Sequence, residues 1–227
     1  WRIGAEDTWL AATDSGFLPG IGQTWSSPTV ARVNVQNAGN SEKLVLIFGG
    51  GYDTVQDAPP VQGYKLDSVG TGIYIVDALS GELIWRAGHS TDAGAHLKLP
   101  KMTNAIPGEV RVVDLTGDGY ADRMYAADMG GRVWRFDITN GAPATSLEQG
   151  GVFASLGVAD SASKPNADNR RFFYAPDVAL IKNGGQTWVN VAIGSGHRER
   201  PVTDTITVNR FYSLRDYNVF TPIASTQ

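Results

Sequence analysis

A pattern that returns three times along the chain restricts its fold more than any other feature. In each copy an alternating apolar segment ends in a glycine-rich bend, and a second, aromatic-rich segment then ends on aspartate. The first copy is L-V-L-I-F-G-G-G from Leu44 to Gly51, followed after an insertion by G-I-Y-I-V-D from Gly72 to Asp77. The second runs without interruption: R-M-Y-A-A-D-M-G-G from Arg123 to Gly131, then R-V-W-R-F-D to Asp137. The third joins V-N-V-A-I-G-S-G, from Val189 to Gly196, to N-R-F-Y-S-L-R-D, which ends at Asp216. Alternation of this kind has the period of a β-strand with one buried face, not of a helix. A further short strand precedes each copy: S-S-P-T-V-A-R-V from Ser26, E-V-R-V-V-D-L from Glu109 and Y-A-P-D-V-A-L-I from Tyr174.

Repeated small sheets joined in this way are expected to stack as the blades of a β-propeller. The spacings between Asp77, Asp137 and Asp216 exceed the roughly 40–50 residues of a compact blade. Insertions from Thr54 to Val69 and from Ser155 to Arg170 account for the excess and read as exposed loops, being polar or rich in Pro, Gly and Ser. The turn and strand A-L-S-G-E-L-I-W-R-A-G after Asp77 would be the outermost strand of the first blade. The opening W-R-I-G resembles the tail of the same strand in a preceding blade, so the chain is expected to start inside one. No secretory signal opens it. The fold class expected is therefore all-β, a modified β-propeller fragment with about three recognisable blades. It would form a single domain over 1–227, with units at about 20–88, 105–157 and 171–227. Three blades cannot close a ring, so the chain would be a piece of a larger propeller, or blades would be split or missing. An open β sandwich is the alternative.

Composition supports a packed β protein. With 42% hydrophobic and 19% charged residues the chain can bury a core, and its 27 glycines and 11 prolines punctuate short strands. The formal charge of −4, with basic residues scattered, lacks the electrostatic footprint of a nucleic-acid binder. No stretch approaches the roughly 20 apolar residues of a membrane-spanning helix. Cysteine is absent, which removes disulfides, thiolate metal sites and a cysteine nucleophile together.

One segment carries recognisable chemistry. D-L-T-G-D-G-Y-A-D, from Asp114 to Asp122, places oxygen-bearing side chains at loop positions one, three, five and nine. A hard cation takes six to eight oxygens, and a tightly curled loop turns alternate residues inward while a backbone carbonyl fills position seven. Asp114, Thr116, Asp118 and Asp122 would supply side-chain oxygens and Tyr120 its carbonyl, with water completing the shell. Gly119 stands at position six, where the turn needs positive φ, and Gly117 loosens the turn before it. The ion expected is Ca²⁺; magnesium fits less well, because it demands octahedral geometry and gives up water reluctantly. Position three is a neutral threonine and position twelve is Tyr125, so the bidentate glutamate of a helix-loop-helix site is missing. That points to a strand-loop-strand site in which Asp122 is the bidentate ligand.

Other constellations have plainer readings. His89, Asp92 and His96 match no established zinc spacing and read as solvated loop residues. Ser195 beside His197 lacks the strand-to-helix elbow of a nucleophile and reads as part of a glycine-rich bend. Gly49 to Gly51 has no following helix or lysine and is no phosphate loop. Trp25, Trp85, Trp134 and Trp188 are expected on strands, packing sheets rather than forming a sugar platform.

Taken together, T-W-S-S-P-T-V-A-R, L-I-F-G-G-G-Y-D, the run from Val112 to Asp137, I-G-S-G-H-R-E-R-P and N-R-F-Y-S-L-R-D resemble the C-terminal domain of the PilY family of type IV pilus biogenesis proteins and adhesins. The resemblance extends from about Trp1 to Asp216. It implies a modified β-propeller exported to the bacterial outer membrane, cell surface or pilus tip, in contact with minor pilins and with a host-surface or glycan ligand. It implies no enzyme activity, and a calcium site that governs pilus extension against retraction, surface adhesion and twitching motility. The family's ligands map to Asp114, Asp118, Asp122 and the Tyr120 carbonyl, with Thr116 where the family often has an acidic or amide residue. The segment Y-I-V-D-A-L-S-G-E-L-I-W also resembles the repeats of quinone-dependent dehydrogenase propellers, which is one alternative. An integrin-like or lectin-like recognition module, whose propellers carry similar acidic loops, is the other.

Overall fold

Alternating strands that must cover both of their faces solve the problem here by stacking sheet on sheet. The computed structural model describes residues 20–36, 41–59, 63–161 and 163–223, and these form twelve strands in three sheets with no α-helix. The opening W-R-I-G lies outside the described residues. The first sheet contains β1 (Thr29–Asn34), β2 (Glu42–Gly49), β3 (Gly72–Asp77), β4 (Leu83–Gly88) and β5 (Leu97–Lys98). The second contains β6 (Arg111–Val113), β7 (Arg123–Ala127), β8 (Arg132–Ile138) and β9 (Glu148–Ser155). The third contains β10 (Asp177–Asn183), β11 (Gln186–Gly194) and β12 (Phe211–Asp216). Strands lie side by side in chain order, antiparallel throughout except for β5, which runs parallel to β4. Each sheet is thus the meander of a propeller blade, and the chain is an all-β, propeller-type protein.

The middle blade shows why strand alternation does not produce alternating exposure here. Every residue of β7 and β8 is buried. Met124, Ala126, Trp134 and Phe136 face the first blade and pack with Ile47, Ile75 and Trp85. Tyr125, Ala127 and Val133 face the third and pack with Val189, Val191 and Ile193. A register slip of one residue would exchange these two sets, so the burial pattern fixes the pairing. Trp85 and Trp134 are fully buried in this stack, and Trp188 on β11 is 8% exposed. Trp25 departs from the expectation: it precedes β1, belongs to no strand and is 40% exposed.

The glycine-rich bends are crossings of backbone. Gly131 has φ +84°, and a Cβ there would stand 2.5 Å from Gly157 Cα and 2.7 Å from the Arg170 carbonyl oxygen. Gly51, with φ +104°, would meet the Gln23 carbonyl oxygen at 2.5 Å. Both conformational strain and backbone collision therefore oppose any side chain. Gly131→Ala is expected to lower stability by on the order of 2 kcal/mol, whereas Gly141→Ala, with φ +89° but open space around it, should lose less. Equal unfolding midpoints for the two variants would refute the crossing as the cause.

The insertion from Thr54 to Val69 is no free loop. Asp53 accepts the N–H groups of Val55, Ser68 and Val69 and so closes its base. Asp67 accepts from Gln56, Asn104 and the Ala105 N–H, which folds the segment against the chain before β6. A polar sequence hides this anchoring, because a buried carboxylate with such partners looks like a solvated one.

Candidate functional site

The loop expected to bind metal joins β6 to β7, and its ends are fixed by the ladder: Val113 pairs with Arg123, and the Asp122 N–H donates to the Val113 carbonyl at 2.9 Å. Gly117 and Gly119 have φ of +77° and +89°, the left-handed region that lets so short a segment curl. Asp114 Oδ1 accepts the Gly117 N–H at 2.6 Å and its Oδ2 the Gly119 N–H at 2.9 Å. Asp122 Oδ2 accepts the N–H groups of Leu115 and Thr116 at 2.7 and 2.8 Å. The Thr116 hydroxyl lies 3.0 Å from Asp122 Oδ2 and 3.4 Å from Asp114 Oδ1, so three predicted ligands meet at one hydroxyl. Asp118 accepts the Tyr120 N–H at 2.9 Å, and the Tyr120 hydroxyl reaches Glu42 on β2 at 3.2 Å. The Gly119 amide foremost, with Gly117, holds the Asp114 carboxyl below the ordinary aspartate range.

Among the described residues no three acidic or histidine side chains converge as a metal-holding group. The loop instead turns its carboxylates on its own backbone amides. The donor set is nonetheless all oxygen, the chemistry a hard cation requires, and the positive-φ glycines stand where the motif needs them. Asp114, Thr116 and Asp122 are brought together, while Asp118 is engaged one residue pair further along.

Directly beneath the loop lies a charge network that the sequence reading missed. Arg123 and Arg135 project from β7 and β8 toward the third blade and are almost wholly buried. Asp137 Oδ1 accepts from Arg123 at 2.6 Å and from Arg135 at 3.0 Å. Asp216 at the end of β12 takes Arg135 Nη1 on both oxygens at 2.9 and 2.8 Å and the Tyr125 hydroxyl at 2.6 Å. Burial, reinforced by Asp216, pushes the Tyr125 phenol above its ordinary value and keeps it a donor. The remaining guanidinium N–H groups donate to the carbonyls of Asn218, Val219 and Thr221. The segment after β12 is thereby strapped across the second blade, and a cleft of about 230 Å³ separates Val219 and Phe220 from Leu115, Thr116 and Asp122. The available signal was Arg123, Arg132, Arg135 and Asp137 within strands otherwise rich in apolar residues, since charges in a buried strand must find partners.

The discounted clusters also resolve. Asp92 forms a salt bridge with buried Arg86, and His96 Nδ1 accepts the Arg86 N–H at 3.2 Å. His89 pairs with the Thr91 hydroxyl at 2.8 Å. Asp92 and His96 therefore clamp an arginine rather than face solvent freely. The Ser195 hydroxyl donates to Asn209 Oδ1 at 3.0 Å, and His197 turns to Asp204 at 3.5 Å instead of to Ser195.

No protein-family model matches the chain. It is 28% identical over 125 residues, 55% of its length, to the type IV pilus biogenesis factor PilY1 of Pseudomonas aeruginosa strain UCBPP-PA14. To the protein of the same name in strain PAO1 it is 25% identical over 141 residues, 62% of its length. The chain spans 8% and 9% of the length of these curated relatives. Its fold is similar to the crystal structure of the Pseudomonas aeruginosa PilY1 C-terminal domain, with a TM-score of 0.57 at 22% identity, covering 88% of this chain and 38% of that one. Both comparisons bear out the resemblance to that domain.

Proposed function

We propose, from the likeness in sequence and fold to the PilY1 C-terminal domain, that this chain is the propeller part of a type IV pilus biogenesis protein and that its β6–β7 loop binds calcium. The observation that carries the metal half of the reading is the meeting of Asp114, Thr116 and Asp122 at one hydroxyl. Asp114, Thr116, Asp118 and Asp122 would hold the ion with side-chain oxygens and Tyr120 with its carbonyl. Bound calcium would supply the positive charge that the Asp114 and Asp122 carboxylates lack and would draw in Asp118. Thr116 and the absence of glutamate at position twelve suit an extracellular site of moderate affinity.

The loop is well placed to act on the rest of the domain. Asp122 is followed directly by Arg123, whose guanidinium reaches Asp137, Asp216 and the strapped segment. An ordered loop would fix the start of β7 and with it that arginine. Calcium is plentiful outside cells and scarce within them, so a loop ordered by it could report export to the surface and bias pilus extension against retraction. Contact with minor pilins, a place at the outer membrane or pilus tip, surface adhesion and twitching motility belong to the same reading, as does the lack of a catalytic role.

Calcium is expected to raise the unfolding temperature of the wild-type chain relative to the chelated protein, and Asp118→Ala or Asp122→Ala to remove that rise, since a ligand that binds only the folded state stabilises it. An equal rise in wild type and variants would sink the assignment. In cells, Asp122→Ala should alter pilus extension, retraction or adhesion; wild-type behaviour in all of them would leave calcium a structural ion.

A further inference from the structure

Trp25, the tryptophan that escaped the blade stack, lies on a column of rings drawn from distant parts of the chain. Its ring is stacked on Tyr52 with centroids 4.6 Å apart and an interplanar angle of 11°. Phe173 follows at 5.8 Å from Tyr52, and His197 at 6.3 Å from Phe173. Tyr52, Phe173 and His197 are buried, so the column has a firm base. At its open end the guanidinium carbon of Arg198 sits 5.4 Å from the Trp25 centroid and 5.5 Å from that of Tyr174, which is 61% exposed.

Such a cation is held by the faces of the rings and keeps the N–H groups in its own plane for other acceptors. Arg123, Arg132, Arg135 and Arg170 each pair with an aspartate. Among the described residues Arg198 makes no hydrogen bond and no ion pair within 4 Å, and only the field of its charge reaches Glu199. A cleft of about 390 Å³ opens beside it, lined by Tyr174, Ser195, His197, Arg198 and Asn209. His197 Nε2 is buried there without a hydrogen-bond partner among the described residues. A smaller cleft of about 180 Å³ lies on the other side, against Trp25, Glu109 and Arg111, and Arg198 and Tyr174 line both.

We propose that this cradle binds a carboxylated sugar, a sialic or uronic acid unit of a surface glycan. A free planar fork pairs with a carboxylate through two parallel N–H bonds. Tyr174, 61% exposed, offers apolar ring surface beside the arginine to the C–H side of a pyranose. The Asn209 side chain takes the Ser195 hydroxyl on its oxygen and keeps its NH₂ group as a neutral donor of the kind that sugar hydroxyls accept from. An acidic peptide would satisfy the arginine but has no pyranose to lay against the Tyr174 ring. The proposal rests on the surface reading above only for the presence of glycans, and not on the calcium loop.

The test is titration of the whole chain with N-acetylneuraminic acid, glucuronic acid, glucose and a glutamate-rich peptide, followed by calorimetry and by tryptophan fluorescence. One or both acids should bind at least tenfold more tightly than glucose and than the peptide, and which acid binds identifies the source. Arg198→Gln and Tyr174→Ala should each weaken that binding at least tenfold, and Arg198→Lys should fail to restore it, because a point charge lacks the fork. Both side chains are exposed, so circular dichroism and unfolding temperature should match the wild type. A chelator, or Asp122→Ala, should leave acid binding unchanged; loss of binding on chelation would place the ligand at the metal loop and overturn this site. Equal affinity for glucose, an unchanged Arg198→Gln, or binding of the peptide alone would also overturn it.

Discussion

Arg135→Met is expected to destabilise the protein by about 3–5 kcal/mol, the cost of stripping a buried charge of its partner. Arg135 is fully buried, and its five N–H groups go to Asp216, Asp137 and the carbonyls of Asn218 and Thr221. Without it Asp216 keeps, among the described residues, the Tyr125 hydroxyl, a 3.4 Å contact to Arg123 and the Asn218 N–H. Asp137 keeps Arg123 and the Ile223 N–H, and two strap carbonyls lose a donor. The double variant Arg135→Met, Asp216→Leu should recover much of the loss, since an ion pair replaced whole by apolar groups is often neutral. Urea unfolding of the two single variants and the double one measures this coupling. A loss under 1 kcal/mol in Arg135→Met, or simple additivity in the double variant, would show that the network does not hold the third blade to the second. Proteolysis within residues 217–223 should also quicken in Arg135→Met, because the strap would lose its anchor.

Glu148→Met should do the opposite and stabilise the protein at neutral pH by about 2–3 kcal/mol, the usual penalty of a buried polar group left without a partner. Glu148 begins β9, is 5% exposed, and neither carboxyl oxygen has a hydrogen-bond partner among the described residues. Burial foremost, and then the nearby Asp137 charge, push this carboxyl well above the ordinary glutamate value of 4.5. A raised carboxyl favours the folded state fully below the unfolded value and loses that contribution as pH rises toward the folded one. Wild type and variant should therefore differ least near pH 4 and diverge as pH rises from there toward neutrality. Parallel stability curves across that window would rule out Glu148 as the titrating group.

What could be read without a structure is what short stretches of chain decide. Alternation in L-V-L-I-F and R-V-W-R-F-D placed β2 and β8, because a two-residue period needs only neighbours along the strand. Gly117 and Gly119 were recognisable for the same reason, since positive φ is a local demand that glycine meets. The loop from Asp114 to Asp122 was legible as a donor spacing, although the structure adds that Thr116 joins its two ends and that Asp118 turns to Tyr120. The repeated aspartates show where local reading stops. Asp77 caps its own turn through the N–H groups of Leu79 and Ser80, Asp137 bridges two arginines, and Asp216 closes a link between blades. One sequence position thus serves three ends, because its partners come from its own turn at Asp77, from its own blade at Asp137 and from the neighbouring blade at Asp216.

By itself, then, the sequence determined the strands, their bends, the oxygen-rich loop and the likeness to a pilus-associated propeller, all carried by local spacing. Only the tertiary structure decided that Arg135 meets Asp216 and that Trp25, Tyr52, Phe173, Tyr174 and Arg198 assemble into one cradle. Those contacts join residues from different blades and loops. Blade stacking creates them by bringing buried faces together, and no period along the chain encodes which side chains will then stand opposite one another.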